Sequence, residues 1–334
     1  MQNIINGLPI AAVILLLAVG FAFLVKGADF FVEGSSSIAK KLKVPPIIIG
    51  LTIVAMGTSL PETAVSVTAS LVQNNELAVS NVVGSNIFNL MFVIGVCSIL
   101  TPIMVQKATV VRDIPLSLGC ALLLLVLGIS GLGDKAGMTL GHADGIIFLI
   151  VFAGYIFTMV RSAMKARAAG QKVEIEGVEE CDNMKELSYG KSILFLIVGA
   201  VAIAFGGDLT VDTASRIAIE LGMSQTLVGL TIVSIGTSLP ELVTSVVAAR
   251  KNEVDMAVGN AVGSNIFNIL MVLGISSAIS PVALIRENLI DIVLLMVFSV
   301  MVWIFAGTRK KIERKEGIIM VVVYLVYCAY IIAR

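Results

Sequence analysis

Two glutamates, Glu62 and Glu241, end near-identical apolar motifs, GLTIVAMGTSLPE at 50–62 and GLTIVSIGTSLPE at 229–241, with eleven of thirteen positions the same. At the same offset of 179 residues SNVVGSNIFN (80–89) recurs as GNAVGSNIFN (259–268), and Asp29 and Pro102 recur as Asp208 and Pro281. Each glutamate lies mid-way along an apolar stretch, where an ionised side chain inside a membrane costs at least ~2.5–3.5 kcal/mol. No lysine or arginine falls within the four motif-bearing stretches, so the neutralising charge must come from elsewhere. Pro61 and Pro240 lack a backbone N–H, so the carbonyls of Gly57 and Gly236, four residues earlier, lose their helical donors. Residues four apart share a helix face. Thr58, Glu62 and Ser66 therefore form one oxygen-bearing stripe, repeated by Thr237, Glu241 and Ser245, while Asn81, Ser85 and Asn89 form another, repeated by Asn260, Ser264 and Asn268. Carboxylate, amide, hydroxyl and carbonyl oxygens without nitrogen or sulfur ligands suit hard cations, above all calcium, with sodium at neighbouring neutral positions. Two carboxylates match one divalent ion and could equally be neutralised by sodium ions or protons. Competition for a site that faces either side only when loaded is a sufficient basis for antiport.

The elements that must position these residues are membrane helices. Hydrophobic residues make up 57% of the 334-residue chain and charged residues 14%, against about 25% in a soluble domain. Mean hydropathy is +1.01. Apolar runs long enough to cross the ~30 Å hydrocarbon core predict ten helices near 8–39, 45–72, 77–101, 113–133, 143–164, 190–219, 225–249, 254–280, 288–307 and 315–333. The first carries no positive leader and exceeds the h-region of a signal peptide, so it reads as a retained span. Five spans per half, an odd number, insert the second copy upside down. The expected fold is thus an all-α polytopic membrane protein of two inverted five-helix repeats, residues 1–164 and 190–334, joined by a polar linker at 165–189. That architecture places a site at the repeat interface near the midplane.

Positive charge is retained on the cytoplasmic side. One alternating set of loops holds eighteen basic residues, among them Lys40, Lys41, Lys43, Arg250, Lys251 and Lys310, and the other only Lys135, Arg216, Arg286 and Arg334. Both termini are therefore expected outside and the linker in the cytoplasm. Zero net charge gives no pointer to nucleic acid. One histidine, His142, and four scattered cysteines leave no haem, iron–sulfur or zinc pattern and no enzyme's nucleophile–base set, and no cofactor is expected.

The paired GTSLPE and GSNIFN motifs resemble the two α-repeats of the calcium/cation antiporter superfamily, and are most similar to prokaryotic sodium/calcium exchangers. The resemblance covers both halves. It implies a prokaryotic-type inner-membrane protein whose second, third, seventh and eighth helices are interrupted around a cluster of ion sites, with the first and sixth helices sliding to switch access. It also implies residue roles: Glu62 and Glu241 as bridging carboxylates of a central cation site, Asn89 and Asn268 below them, and flanking sodium sites using Thr58, Ser59, Ser85, Thr237, Ser238 and Ser264 with backbone carbonyls near Ala55 and Ser234. Some members carry aspartate where Asn268 stands, so this chain has one carboxylate fewer. Export of calcium against entering sodium is the expected function, and calcium/proton exchange the main rival; a passive channel would need a continuous filter or ring. An internal repeat can work as a monomer. Asp29 and Asp208 are expected to be hydrated or paired near helix ends, Asp29 with Lys26, while Trp303, Tyr324, Tyr327 and Tyr330 fit interfacial or packing positions.

Overall fold

The computed structural model describes residues 5, 7–71, 75–130, 138–168, 187–223, 228, 232 and 234–333, without the side chains of 75–77 and 234. The described residues are helical almost throughout. A 33-residue α1 (Ile10–Leu42) ends where Lys43 turns left-handed (φ 54°) and donates its N–H back to Ala39 and Lys40, ahead of Pro45 and Pro46. Next come α2 (Pro46–Thr58), α3 (Leu60–Leu71), α4 (residues 75–100), α5 (Thr109–Ser130) and α6 (His142–Ala168). The second half contributes α7 (Tyr189–Glu220), α8 (Ser234–Gly236), α9 (Leu239–Arg250), α10 (Val254–Ile279), α11 (Arg286–Arg309) and α12 (Arg314–Ala333). Among the described residues, eight helices are long and apolar enough to cross a membrane, and the bent pair α2–α3 makes a ninth. The helix expected at 225–249 starts in residues that are mostly outside those described, and residues 169–186 of the 165–189 linker lie outside them too, its first four residues belonging to α6.

The bend between α2 and α3 is 49° and falls at Ser59 (φ −84°, ψ 12°). Its cause is local, because Pro61 has no N–H to continue the ladder. Ser238, two residues before Pro240, adopts nearly the same conformation (φ −94°, ψ 5°). The third and eighth spans, α4 and α10, run without a break and pass instead through π-helical turns at Phe88–Val93 and Asn268–Val272. Another such turn, Gly50–Val54 in α2, is supported by the Tyr155 hydroxyl, which donates to the Leu51 carbonyl at 3.0 Å. A π turn opens the regular ladder and is frequent at functional sites. A fourth, Thr109–Asp113, starts α5 four residues before the expected 113.

α4 and α10 form the centre, with 78% of their most apolar windows buried against 22% in α1 and α12. The outer helices present Leu15, Ile150, Phe157, Val201 and Val326 outward, while the interior holds Thr58, Ser66, Asn89, Asn260 and Asn268. This inversion of the soluble pattern is what a lipid solvent requires. α1 and α7 pack antiparallel, Gly20 meeting Thr210 and Gly34 meeting Ser192. Their backbones nearly touch: a Cβ on Gly199 would sit 2.6 Å from the Phe31 nitrogen, and one on Gly206 would sit 2.7 Å from that of Leu24. Small residues permit this approach where water cannot drive association.

Two short antiparallel ribbons, not foreseen in the sequence, stitch the halves together. β1 (Ile103–Met104) pairs with β4 (Lys311–Ile312), and β2 (Thr139–Leu140) with β3 (Val282–Ala283). β1 and β3 are themselves 179 residues apart, so each half lends one strand to the other in the same way.

Candidate functional site

The break at Ser59 turns its hydroxyl toward the other repeat, where it donates to Glu241 Oε1 at 2.9 Å. Ser238 returns the same bond to Glu62 Oε1 at 3.1 Å. Each carboxylate is therefore held by the kink of the opposite repeat, and both glutamates are 0% exposed. Ser264 adds a longer bond to Glu241 Oε1, 3.5 Å.

Around this crossed pair the amides of α4 and α10 orient the hydroxyls of α2, α3 and α9. Thr58 donates to Asn260 Oδ1 at 3.0 Å and Thr237 to Asn81 Oδ1 at 3.4 Å. In turn Asn260 Nδ2 donates to Ser245 (2.9 Å) and Asn81 Nδ2 to Ser66 (3.1 Å). Ser66, Ser245, Asn81 and Asn260, placed on the predicted stripes, thus hold the second layer, with Thr58 and Thr237 bridging to it. Ala55 is buried, and its carbonyl accepts from Ser59 N–H (3.1 Å) and from the Thr58 hydroxyl (3.4 Å). Ser234 opens the short α8.

Five side-chain oxygens of the expected ligands have no hydrogen-bond partner despite full burial: Glu62 Oε2, Glu241 Oε2, Ser85 Oγ, Asn89 Oδ1 and Asn268 Oδ1. Leaving such an atom unsatisfied costs about 1–3 kcal/mol, more when charged. Among the described residues no group of three or more His, Cys, Asp or Glu is placed to hold a metal ion. A set with two carboxylates and otherwise neutral oxygens fits a hard cation better than a transition metal.

The sequence reading missed Asn86 and Asn265, although both lie inside the quoted GSNIFN motifs. Asn86 Nδ2 donates to the Asn265 carbonyl and Asn265 Nδ2 to the Asn86 carbonyl, both at 3.1 Å. Their 179-residue offset was the available signal. The missing step was that two copies of one motif could bind each other.

Asp208 and Asp29, which match between the repeats, sit in different surroundings. A cavity of about 330 Å³ lies between α7 and the kinks, lined by Pro61, Val65, Gly207, Asp208, Val211, Asp212, Gly236, Thr237 and Pro240. At the pseudo-symmetric position Asp29 is tied to Lys251 at 3.3 Å and to Lys26 at 3.9 Å, and the Ser36 hydroxyl bonds Glu253. Pairing at Asp29 agrees with expectation, whereas Asp208 lines a cavity beside Thr237. Trp303 donates to Val110 O at 2.7 Å and Tyr324 packs on Phe88 and Phe92, in keeping with packing positions, while His142, at the start of α6, meets the Ala278 carbonyl at 2.9 Å.

Two pseudo-symmetric halves, cross-bonded at a buried oxygen site inside a lipid-facing shell, define the class of secondary transporters built on an internal inverted repeat. The comparisons narrow the class. The family model described as sodium/calcium exchanger protein matches residues 12–161 and 191–333, and the chain belongs to that family. It is 37% identical over 314 residues to a putative antiporter, CaxA, of Alkalimonas amylolytica, covering 92% of this chain and 95% of that one. It is 33% identical over 337 residues to the sodium/calcium exchanger MaX1 of Methanosarcina acetivorans, covering 94% and 96%. A solved structure of the sodium-calcium exchanger NCX_Mj, soaked with sodium and strontium, superposes with a TM-score of 0.81 at 31% identity, covering 96% and 99%.

Proposed function

We propose that this chain is a secondary active antiporter that exchanges calcium for sodium by alternating access, exporting calcium across a prokaryotic inner membrane. The observation that carries the reading is the crossed pair Ser59–Glu241 and Ser238–Glu62, with a free buried oxygen on each carboxylate. One calcium bridges Glu62 and Glu241, with Asn89 and Asn268 completing its shell. Sodium ions use the flanking neutral oxygens of Thr58, Ser59, Ser85, Thr237, Ser238 and Ser264, with the carbonyls of Ala55 and Ser234. Those hydroxyls favour sodium over protons as the counter-ion, because a proton needs no such shell. No resident cofactor takes part, since both ions are cargo.

In this reading the chain spans the membrane ten times as two inverted halves, 1–164 and 190–334. The interruptions are breaks at Ser59 and Ser238 and π turns in α4 and α10. The 165–189 linker is cytoplasmic and both termini lie outside. The cavity beside Asp208 is then the outward approach, and the Asp29–Lys251 tie closes the inward one. α1 and α7 move as a unit to exchange the two.

The test is calcium uptake into proteoliposomes loaded with sodium. Uptake that requires the outward sodium gradient supports the assignment. Uptake driven only by a pH gradient moves it to calcium/proton exchange, and gradient-independent equilibration would make it a channel. Orientation is tested by fusing alkaline phosphatase or green fluorescent protein after Arg334. An active phosphatase and a dark fluorescent fusion are expected, and a fluorescent C-terminal fusion would overturn the topology.

A further inference from the structure

Four buried amides meet where α4 crosses α10: Asn86, Asn89, Asn265 and Asn268, each no more than 1% exposed. The reciprocal bonds between Asn86 and Asn265 are equal, and by themselves they describe a symmetric clamp between the repeats. The clamp is not symmetric in what else it holds. Asn86 Oδ1 accepts from Asn268 Nδ2 at 3.2 Å, whereas Asn265 Oδ1 and both side-chain atoms of Asn89 have no partner.

A side-chain amide carries a donor and an acceptor on one carbon. Pointed at a cation, the NH₂ group repels it and the oxygen coordinates it. Once Nδ2 of Asn268 is committed to Asn86, its Oδ1 must point the other way, and that oxygen is buried and unpartnered. Asn89 has no such constraint. We propose that Asn86 is a positioning residue for the central site: it selects the rotamer of Asn268 that presents oxygen to the cation, a role its repeat mate Asn265 does not perform for Asn89. The inference rests on reading the Glu62/Glu241 centre as a calcium site.

The internal repeat supplies the control. Asn86→Ala and Asn265→Ala each remove one 3.1 Å bond to a buried carbonyl of the other repeat, and only the first also releases Asn268. With full-length protein in proteoliposomes, half-saturating calcium for sodium-driven uptake is expected to rise about tenfold more in Asn86→Ala than in Asn265→Ala. Maximal rates of the two should stay comparable. In an Asn268→Ala background the difference should vanish, because the group being positioned is gone. A clamp with no positioning role would instead weaken both variants alike, in thermal stability and in maximal rate. Equal calcium half-saturation in the two variants overturns the proposal, as does a difference that survives Asn268→Ala. If the alanine variants do not purify as folded protein, Asn86→Ser and Asn265→Ser carry the same comparison, since neither hydroxyl reaches as far as the amide. Failure of the wild-type protein to bind or transport calcium would count against the site reading itself, which separates the two failures.

Discussion

Replacing Glu62 or Glu241 by glutamine is expected to lower sodium-dependent calcium uptake by about 100-fold or more. Glutamine keeps the oxygen that accepts from Ser238 or Ser59, so the crossed hydrogen bonds survive and the change isolates charge. Removing one partner of a buried charge pair costs about 3–5 kcal/mol, and every ~1.4 kcal/mol is tenfold in affinity. In the proposed bridging geometry both substitutions are comparably severe, because each carboxylate has one buried oxygen without a hydrogen-bond partner. Calcium binding measured by titration should fall with transport. A variant that keeps more than a tenth of wild-type uptake would mean that the carboxylate concerned does not hold the transported ion.

The second large effect concerns movement. Gly199 and Gly206 let α7 lie against the backbone of α1, and a methyl group at either would fall within 2.7 Å of a main-chain nitrogen. Backbone cannot give way as a flexible side chain can, so the double variant Gly199→Ala, Gly206→Ala must drive the two helices apart, and overpacking of this kind costs about 1–3 kcal/mol per site. Neither helix supplies a predicted ion ligand. Turnover should therefore drop at least about tenfold while calcium binding at equilibrium persists. Gly154→Ala on α6 is the control, since a Cβ there meets nothing within 4 Å. Unchanged turnover in the double variant would show that α1 and α7 need not move as a closely packed pair.

Membrane class and repeat were legible in the residues, as were the stretches that carry the candidate site, through features that are local or periodic. Apolar runs read out as helices because no other element satisfies its own backbone in lipid. The 179-residue offset matched motif to motif without any knowledge of contacts, and i, i+4 spacing put Glu62 with Thr58 and Ser66. Even the break at Ser59 was implied, since Pro61 removes a donor wherever the chain goes.

Packing alone fixed which residues far apart in the chain become partners. Spacing could not show that Ser59 binds the glutamate of the other repeat and not its own, because that depends on how two helices cross. Asn86 and Asn265 were visible as letters and invisible as a clamp for the same reason. The two ribbons escaped notice because two-residue strands carry no period. The unlike surroundings of Asp29 and Asp208, by contrast, could be read from residues outside the motifs, since Lys26 and Lys251, which tie Asp29, are matched at the 179-residue offset by Phe205 and Val72. Partnership across the repeats depends on how the helices cross, and no local or periodic feature of a residue string carries that.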